Sequence, residues 1–274
     1  MKFGRLSIVL STQASQFKAV ALKGALKANL AKIGNWGYEG VELAIRNPDL
    51  VDVDQLEEIL AVHELKVPAI GTGQAWGEER LSFSSPELAI RKAAIGRIKK
   101  QIKLAKRLNA LVIIGLIRGV TPPGQAKEQS MRLLADCLCE CAGFALAQHV
   151  SMAFEPLNQA ETDLVHTCRE GLELIQQIGL PNLGLLLDTY HMNIEESDIR
   201  ESILFSGSKI FHFHVADSNR CYPGAGLLDF KMILRALKST GYSGWISGEF
   251  LPTPDADTAA EQCMQHLKQI IIRM

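Results

Sequence analysis

Short continuous apolar runs alternate along the whole chain with longer stretches in which apolar residues recur every three or four positions. The first kind reads as strands buried on both faces, the second as amphipathic helices. A strand at 4–11 is followed by a predicted helix from Phe17 to Trp36, carried by Val20, Leu22, Leu26, Leu30 and Ile33 and ended by Gly34 and Gly37. Val41 to Ile45 predicts a second strand, Val53 to Leu65 a second helix, and Val67 to Ile70 a third strand running into Gly71-Thr72-Gly73-Gln74. Ser85 before Pro86 predicts the N-cap of a long helix reaching Leu108. Ala110 to Ile117 is a further strand, and Pro122-Pro123-Gly124 a loop before the next helix. Strands at 150–155, 183–187, 210–216 and 244–250 then alternate with helices at 165–178, 198–206, 229–238 and 258–273. Eight β–α pairs in 274 residues, with no linker, repeat or shift of composition, predict an α/β fold: one (β/α)8 TIM barrel domain over 1–274.

Composition narrows the class of partner. With 29 basic against 30 acidic residues the net charge is -1, which gives no field for nucleic acid. The six cysteines form no C-x-x-C pair, which suits a reducing, cytoplasmic setting. Cys137 and Cys141, four apart on a helix, read as packing residues. Lys2 and Arg5 precede Leu6 to Leu10, too short a run for a signal peptide, and no run approaches a membrane span. The expected partner is a small molecule, with neither nucleic acid nor membrane, and with self-association left open.

Chemistry gathers where the apolar runs end. In Ile210 to Ala216, residues His212 and His214 share one face at period two. An inward side chain at the C-terminal end of a barrel strand belongs to the top-face site. The fifth strand ends Ala153-Phe154-Glu155, the sixth Leu187-Asp188, the seventh at His214 and the eighth Gly248-Glu249. One such carboxylate alone also suits a helix cap or a salt bridge. Four in succession suit one divalent ion, and three carboxylates with one imidazole favour Mn²⁺, with Mg²⁺ or Co²⁺ as alternatives.

At these residues the chain closely resembles the D-tagatose 3-epimerase branch of the xylose-isomerase-like barrels, which takes in ketose 3-epimerases and keto-sugar-acid epimerases such as 5-keto-L-gluconate epimerase. The matching pieces are Glu155-Pro156-Leu157-Asn158 with Glu161, Asp188 to Glu196, His214 to Arg220, and Gly248-Glu249. The resemblance implies metal ligation by Glu155, Asp188, His214 and Glu249, and substrate contacts from Glu161, His191 and Arg220. His212, one layer deeper, is expected to support the site. Gln74 and Trp76 follow the third strand and are expected to line the pocket. Arg46 and Arg118 depart from the neutral groups expected after the second and fourth strands, and predict an anionic substrate, a keto-sugar acid of the 5-keto-gluconate or tagaturonate type. The competing reading of Arg46 is a local pair with Glu42 or Asp49.

The expected reaction is inversion of the carbon next to a ketone through an enediolate, with Glu155 and Glu249 carrying protons on opposite faces. The alternatives are a neutral ketose 3-epimerase and a hydroxypyruvate-isomerase-like aldose–ketose isomerase. Further off stand an endonuclease IV-type repair enzyme, which needs more histidine ligands and a basic face, and a binding barrel without catalysis.

Overall fold

The computed structural model describes residues 3–274. Strand β1 (Arg5–Ser11) is flanked by β3 (Gly40–Ala44), and from there β4 (Ala69–Gly71), β5 (Leu111–Ile114), β6 (Met152–Phe154), β7 (Leu183–Asp188), β8 (Ile210–Val215) and β9 (Trp245–Gly248) follow in sequence order. Every pairing is parallel, and β9 returns to β1 through Arg5↔Trp245 to Ile8↔Gly248, closing an eight-stave barrel. A two-residue strand, β2 (Leu22–Lys23), extends the β1 edge above the point where β9 stops. The helices α1 (Leu26–Asn35), α2 (Val53–Val62), α3 (Gln74–Glu79), α4 (Leu88–Leu108), α5 (Lys127–Ala147), α6 (Cys168–Ile178), α7 (Thr189–Glu195), α8 (Ile199–Ser206), α9 (Phe230–Ser239) and α10 (Ala256–Ile272) complete the chain.

Alternation along each strand sorts side chains between two cores. Leu6, Ile8 and Leu10 of β1, with Val41, Leu43, Val112, Ile114, Phe213 and Ile246, pack outward into the large core shared with the helices. The opposite faces meet inside the barrel, and there the lumen is divided. Ala69, Ile113, Ala153 and Leu186 fill the half under β4 to β7 with hydrocarbon. Ser7, Glu42, His212, His214 and Ser247, all buried, place polar groups in the half under β8, β9, β1 and β3. A buried polar half-lumen is costly unless its groups are paired, so it marks where chemistry is built.

Several element boundaries differ from those expected. The predicted helix from Phe17 does not form before Leu26: Val20 and Leu22 are buried instead beside the top of β1, and Gly24 and Ala25 take positive φ values of 60° and 39°. The long helix begins at Leu88 and not at Pro86, because Glu87 is extended; the Ser85 hydroxyl accepts the Glu87 N–H as part of a turn. The short helix α7, directly after Asp188, was not anticipated by periodicity, being only two turns long. Elsewhere the caps are orthodox: Thr167 and Glu170 form a reciprocal capping box on α6, and Asp198, Asp229 and Asp255 accept first-turn N–H groups of α8, α9 and α10. No described helix is long and apolar enough to cross a membrane.

Candidate active site

The C-terminal ends of β6, β7, β8 and β9, four consecutive staves, bring together Glu155, Asp188, His214 and Glu249 with one ligand atom of each within 4.8 Å of all the others. Glu155 follows β6 and is held by its backbone N–H on Ile114 O at 3.1 Å. Its carboxylate lies against Gly115, where a Cβ would stand 2.6 Å from Glu155 Oε2, so any larger residue there would displace the carboxylate from this position. Asp188 divides its oxygens: Oδ1 accepts the Tyr190 N–H at 2.8 Å and caps α7, while Oδ2 lies 3.8 Å from His214 Nδ1. Capping and clustering, alternatives in sequence, coexist in this residue. Glu249 Oε2 is 3.7 Å from the same nitrogen.

This cluster fits a cation by its own chemistry. Glu155 Oε1 and His214 Nδ1 are buried without a hydrogen-bond partner, which native interiors rarely tolerate. Burial, then the neighbouring Glu249 and Asp188 carboxylates, raise the Glu155 pKa well above its ordinary value. Burial likewise lifts Asp188, to about 6, with Glu249 adding to it. Three acids driven together and two orphaned donor atoms are what a divalent ion would satisfy.

Around the cluster a cavity of about 300 Å³ is lined by Phe17, Gln74, Leu116, Glu161, His191 and Arg220 among others, the size of a small-molecule site. His191 Nδ1 receives the backbone N–H of Asn158 at 3.2 Å and sits 2.8 Å from the Asn158 amide nitrogen. A backbone N–H can only donate, so the ring proton of the neutral imidazole is on Nε2, which faces Glu155 Oε1 at 3.9 Å. Burial and then the Arg220 charge push the His191 pKa well below its usual value, keeping it neutral. Arg220 donates to Glu161 and stacks over the Tyr190 ring at 4.6 Å. Gln74 Nε2 donates to Ser11 Oγ at 2.7 Å.

Three expected pocket residues lie elsewhere. Trp76 is outside the lining, its ring faced by Arg80 at 5.5 Å. Arg46 also lies outside: β3 ends at Ala44, alternation stops there, and Arg46 Nε turns to Glu79 Oε1 at 3.6 Å, neither of the acids named for it in sequence. Arg118 is fully buried under the site. Its guanidinium donates to Gly115 O at 3.0 Å, Leu164 O at 3.2 Å and Val165 and Ile114 O at 3.3 Å, and lies 4.0 Å over the Phe154 ring. Arg118 is thus not free to meet a substrate carboxylate, and Arg46, outside the cavity lining, has the 3.6 Å ion pair with Glu79. Conversely, Glu42 was missed. It is buried in the lumen on β3 and accepts from His212 Nε2 at 2.7 Å and His214 Nε2 at 3.0 Å. An inward carboxylate at period two on a barrel strand, flanked by outward Val41 and Leu43, was the available signal.

Comparison with known proteins agrees with this geometry. The family described as xylose isomerase-like TIM barrel matches residues 30–270. An L-ribulose 3-epimerase from Methylomonas sp. is 30% identical over 229 residues, covering 82% of this chain and 78% of that protein. A hydroxypyruvate isomerase from Escherichia coli is 27% identical over 233 residues, covering 82% of this chain and 87% of that one. A solved structure of L-ribulose 3-epimerase superposes with a TM-score of 0.85 at 25% identity, covering 99% of this chain and 95% of that one. With a family match across most of its length and a relative at this identity, the chain belongs to the xylose isomerase-like TIM barrel family.

Proposed function

We propose that this isomerase is a divalent-metal-dependent ketose 3-epimerase acting on a neutral ketose. The observation that carries the reading is the placing of Glu155 and Glu249 at the two ends of a four-stave arc, with Asp188 and His214 between them. Glu155, Asp188, His214 and Glu249 would hold the ion, for which Mn²⁺ is the first choice with Mg²⁺ and Co²⁺ as alternatives. Bound there, it would supply Lewis-acid stabilisation of an enediolate. A ketose seated over the cluster has one glutamate on each side of its C3. One carboxylate takes the C3 proton, the electron pair of the C–H bond moves into the C2–C3 bond, and the ketone oxygen takes up charge. The other glutamate, protonated, returns a proton to the opposite face as the ketone reforms. Burial and like charge favour a proton on Glu155, which suits a member of such a pair. The Nε2–H of His191 is aimed to donate to an oxygen at the ketone end, and Arg220, fixed by Glu161 and Tyr190, borders the same cavity.

A neutral substrate replaces the keto-sugar acid expected from Arg46 and Arg118, since Arg118 is bonded to backbone carbonyls and Arg46 lies outside the cavity lining. The names of the relatives, L-ribulose 3-epimerase and ketose 3-epimerase, support the same choice. The hydroxypyruvate isomerase relative keeps aldose–ketose isomerisation as a second reading, in which the proton leaves C1 and returns to C2 through a 1,2-enediolate in place of the 2,3-enediolate. Incubation of neutral ketoses with the Mn²⁺-loaded enzyme in D₂O separates them: deuterium at C3 with inversion is expected, and an aldose product with deuterium at C2 would favour isomerisation. Glu155→Gln and Glu249→Gln, checked for metal content, should each lower turnover by at least about 10²-fold. Near-normal epimerisation by either metal-loaded variant would overturn the two-glutamate mechanism.

A further inference from the structure

We infer that Glu42 is the positioning residue of the site: across the barrel lumen it holds the proton of His214 on Nε2 and so turns the Nδ1 lone pair toward Asp188 and Glu249. The inference rests on the metal reading of that cluster and extends it to a residue outside the ligand set. Glu42 stands on β3 and His214 on β8, staves that are not neighbours in the barrel, so the contact spans the lumen. Glu42 is 1% exposed, and both its oxygens face imidazole nitrogens: Oε2 is 2.7 Å from His212 Nε2 and 3.0 Å from His214 Nε2, and Oε1 is 3.1 Å from His214 Nε2. An ionised carboxylate only accepts, so both nitrogens carry hydrogen. A neutral imidazole with hydrogen on Nε2 has its lone pair on Nδ1. In His214 that atom has no hydrogen-bond partner and lies 3.7 Å from Glu249 Oε2 and 3.8 Å from Asp188 Oδ2. The opposite tautomer would leave a hydrogen where a ligand lone pair is needed and a lone pair facing a carboxylate.

His212 completes the device. It is two residues earlier on the inward face of β8, its ring is edge-on to that of His214 at 5.2 Å between centroids, and its N–H anchors Glu42 from a second direction. Glu42 thereby has one fixed position from which to orient one ring. Glu42, His212 and His214 also form a close set of metal-capable groups, but their separations are those of hydrogen bonds. Ligands ~2.1 Å from a shared ion stand about 3.4 Å apart, and ligation through His214 Nε2 would surrender the proton that Glu42 holds. One imidazole thus joins the two clusters, hydrogen-bonded on one side and ligating on the other, an arrangement that sets ring orientation and raises ligand basicity.

The test measures Mn²⁺ and Co²⁺ affinity by calorimetry, and the visible spectrum of the Co²⁺ form, for wild type and Glu42→Gln, with circular dichroism as the check on folding. Glutamine keeps the shape but removes the negative charge, and its NH₂ replaces one of the two oxygens that accept from the imidazole N–H groups. Affinity is expected to fall about 10–100-fold with a changed Co²⁺ spectrum. Should the variant fail to fold, ¹⁵N NMR of the Zn²⁺-loaded wild type decides alone, with hydrogen on His214 Nε2 and none on Nδ1 expected. Equal affinity and an unchanged spectrum in Glu42→Gln, or hydrogen on Nδ1 in the loaded wild type, would overturn the role of Glu42 while leaving the metal site standing. Failure of wild type to take up any of these ions would overturn the metal reading and this inference with it.

Discussion

The guanidinium of Arg118 ties the end of β5 and the adjoining turn at Gly115 to the loop at Leu164 and Val165. Burial lowers its pKa to about 9, with the nearby Glu155 and Glu161 opposing the shift, so the side chain stays cationic at neutral pH. Replacement by alanine leaves Leu164 O without a donor, since Ile114 O, Gly115 O and Val165 O keep the backbone N–H groups of Glu155, Arg118 and Leu157, and a buried group deprived of its partner costs about 1–3 kcal/mol. Arg118→Ala is therefore expected to destabilise by about 1–3 kcal/mol in urea unfolding. Arg118→Lys should recover only part of this, because an ammonium cannot span carbonyls that lie on two sides of a planar fork. Unchanged unfolding midpoints would return Arg118 to a role at the ligand. At this scale the strand-end cluster was legible, because an apolar run that terminates in a carboxylate or imidazole is a local pattern. The surroundings of Arg118 were not, since its partners are main-chain oxygens up to 47 positions away that no side-chain pattern marks.

Asp188 shows how one element boundary serves two structures. As the last residue of β7 it delivers Oδ2 to the cluster, and as the N-cap of α7 it gives Oδ1 to the Tyr190 N–H. The two duties separate by substitution. Asn caps helices about as well as Asp but brings no charge, so Asp188→Asn is expected to keep or raise the melting temperature of the metal-free protein, one acid of the cluster being removed, while lowering Mn²⁺ affinity by at least about tenfold. Asp188→Ala should lose the cap as well, at a cost of ~1 kcal/mol. Retained Mn²⁺ affinity in Asp188→Asn would remove this carboxylate from the ligand set. The order and type of the barrel strands could be read from their apolar runs because a parallel strand buried on both faces has few other solutions. The segment from Phe17 to Ala25 misled for a physical reason: spacing at three and four cannot distinguish a helix from a loop whose apolar residues fold back over a strand end. The positive φ at Ala25 that separates the two is set by the tertiary fold.

In the molecule as a whole, charge is distributed in a way that a count of residues conceals. A chain with 29 basic and 30 acidic residues is close to neutral, yet Glu42, Glu155 and Asp188 are buried in or above the polar half of the barrel, with Glu249 beside them. Arg118 and Arg220, the nearby guanidinium groups, are already bonded to carbonyls and to Glu161. Metal-free protein thus holds clustered acids at a cost in folding free energy, which protonation of Glu155 relieves in part. A bound divalent ion removes that cost as part of its binding energy, and stabilises by ~2.7 kcal/mol when free ion stands at 100 times its Kd. For a domain of this size that corresponds to a rise of roughly 5–8 °C in melting temperature. Calorimetry of the protein with EDTA and with saturating Mn²⁺ should show this rise. Metal-free Glu155→Gln should melt at or above metal-free wild type, because removing one acid of the cluster relieves the rest, and should gain less from Mn²⁺. A melting temperature indifferent to Mn²⁺, with Glu155→Gln less stable than wild type in EDTA, would mean that the acids are balanced by the protein alone and that the cluster is structural.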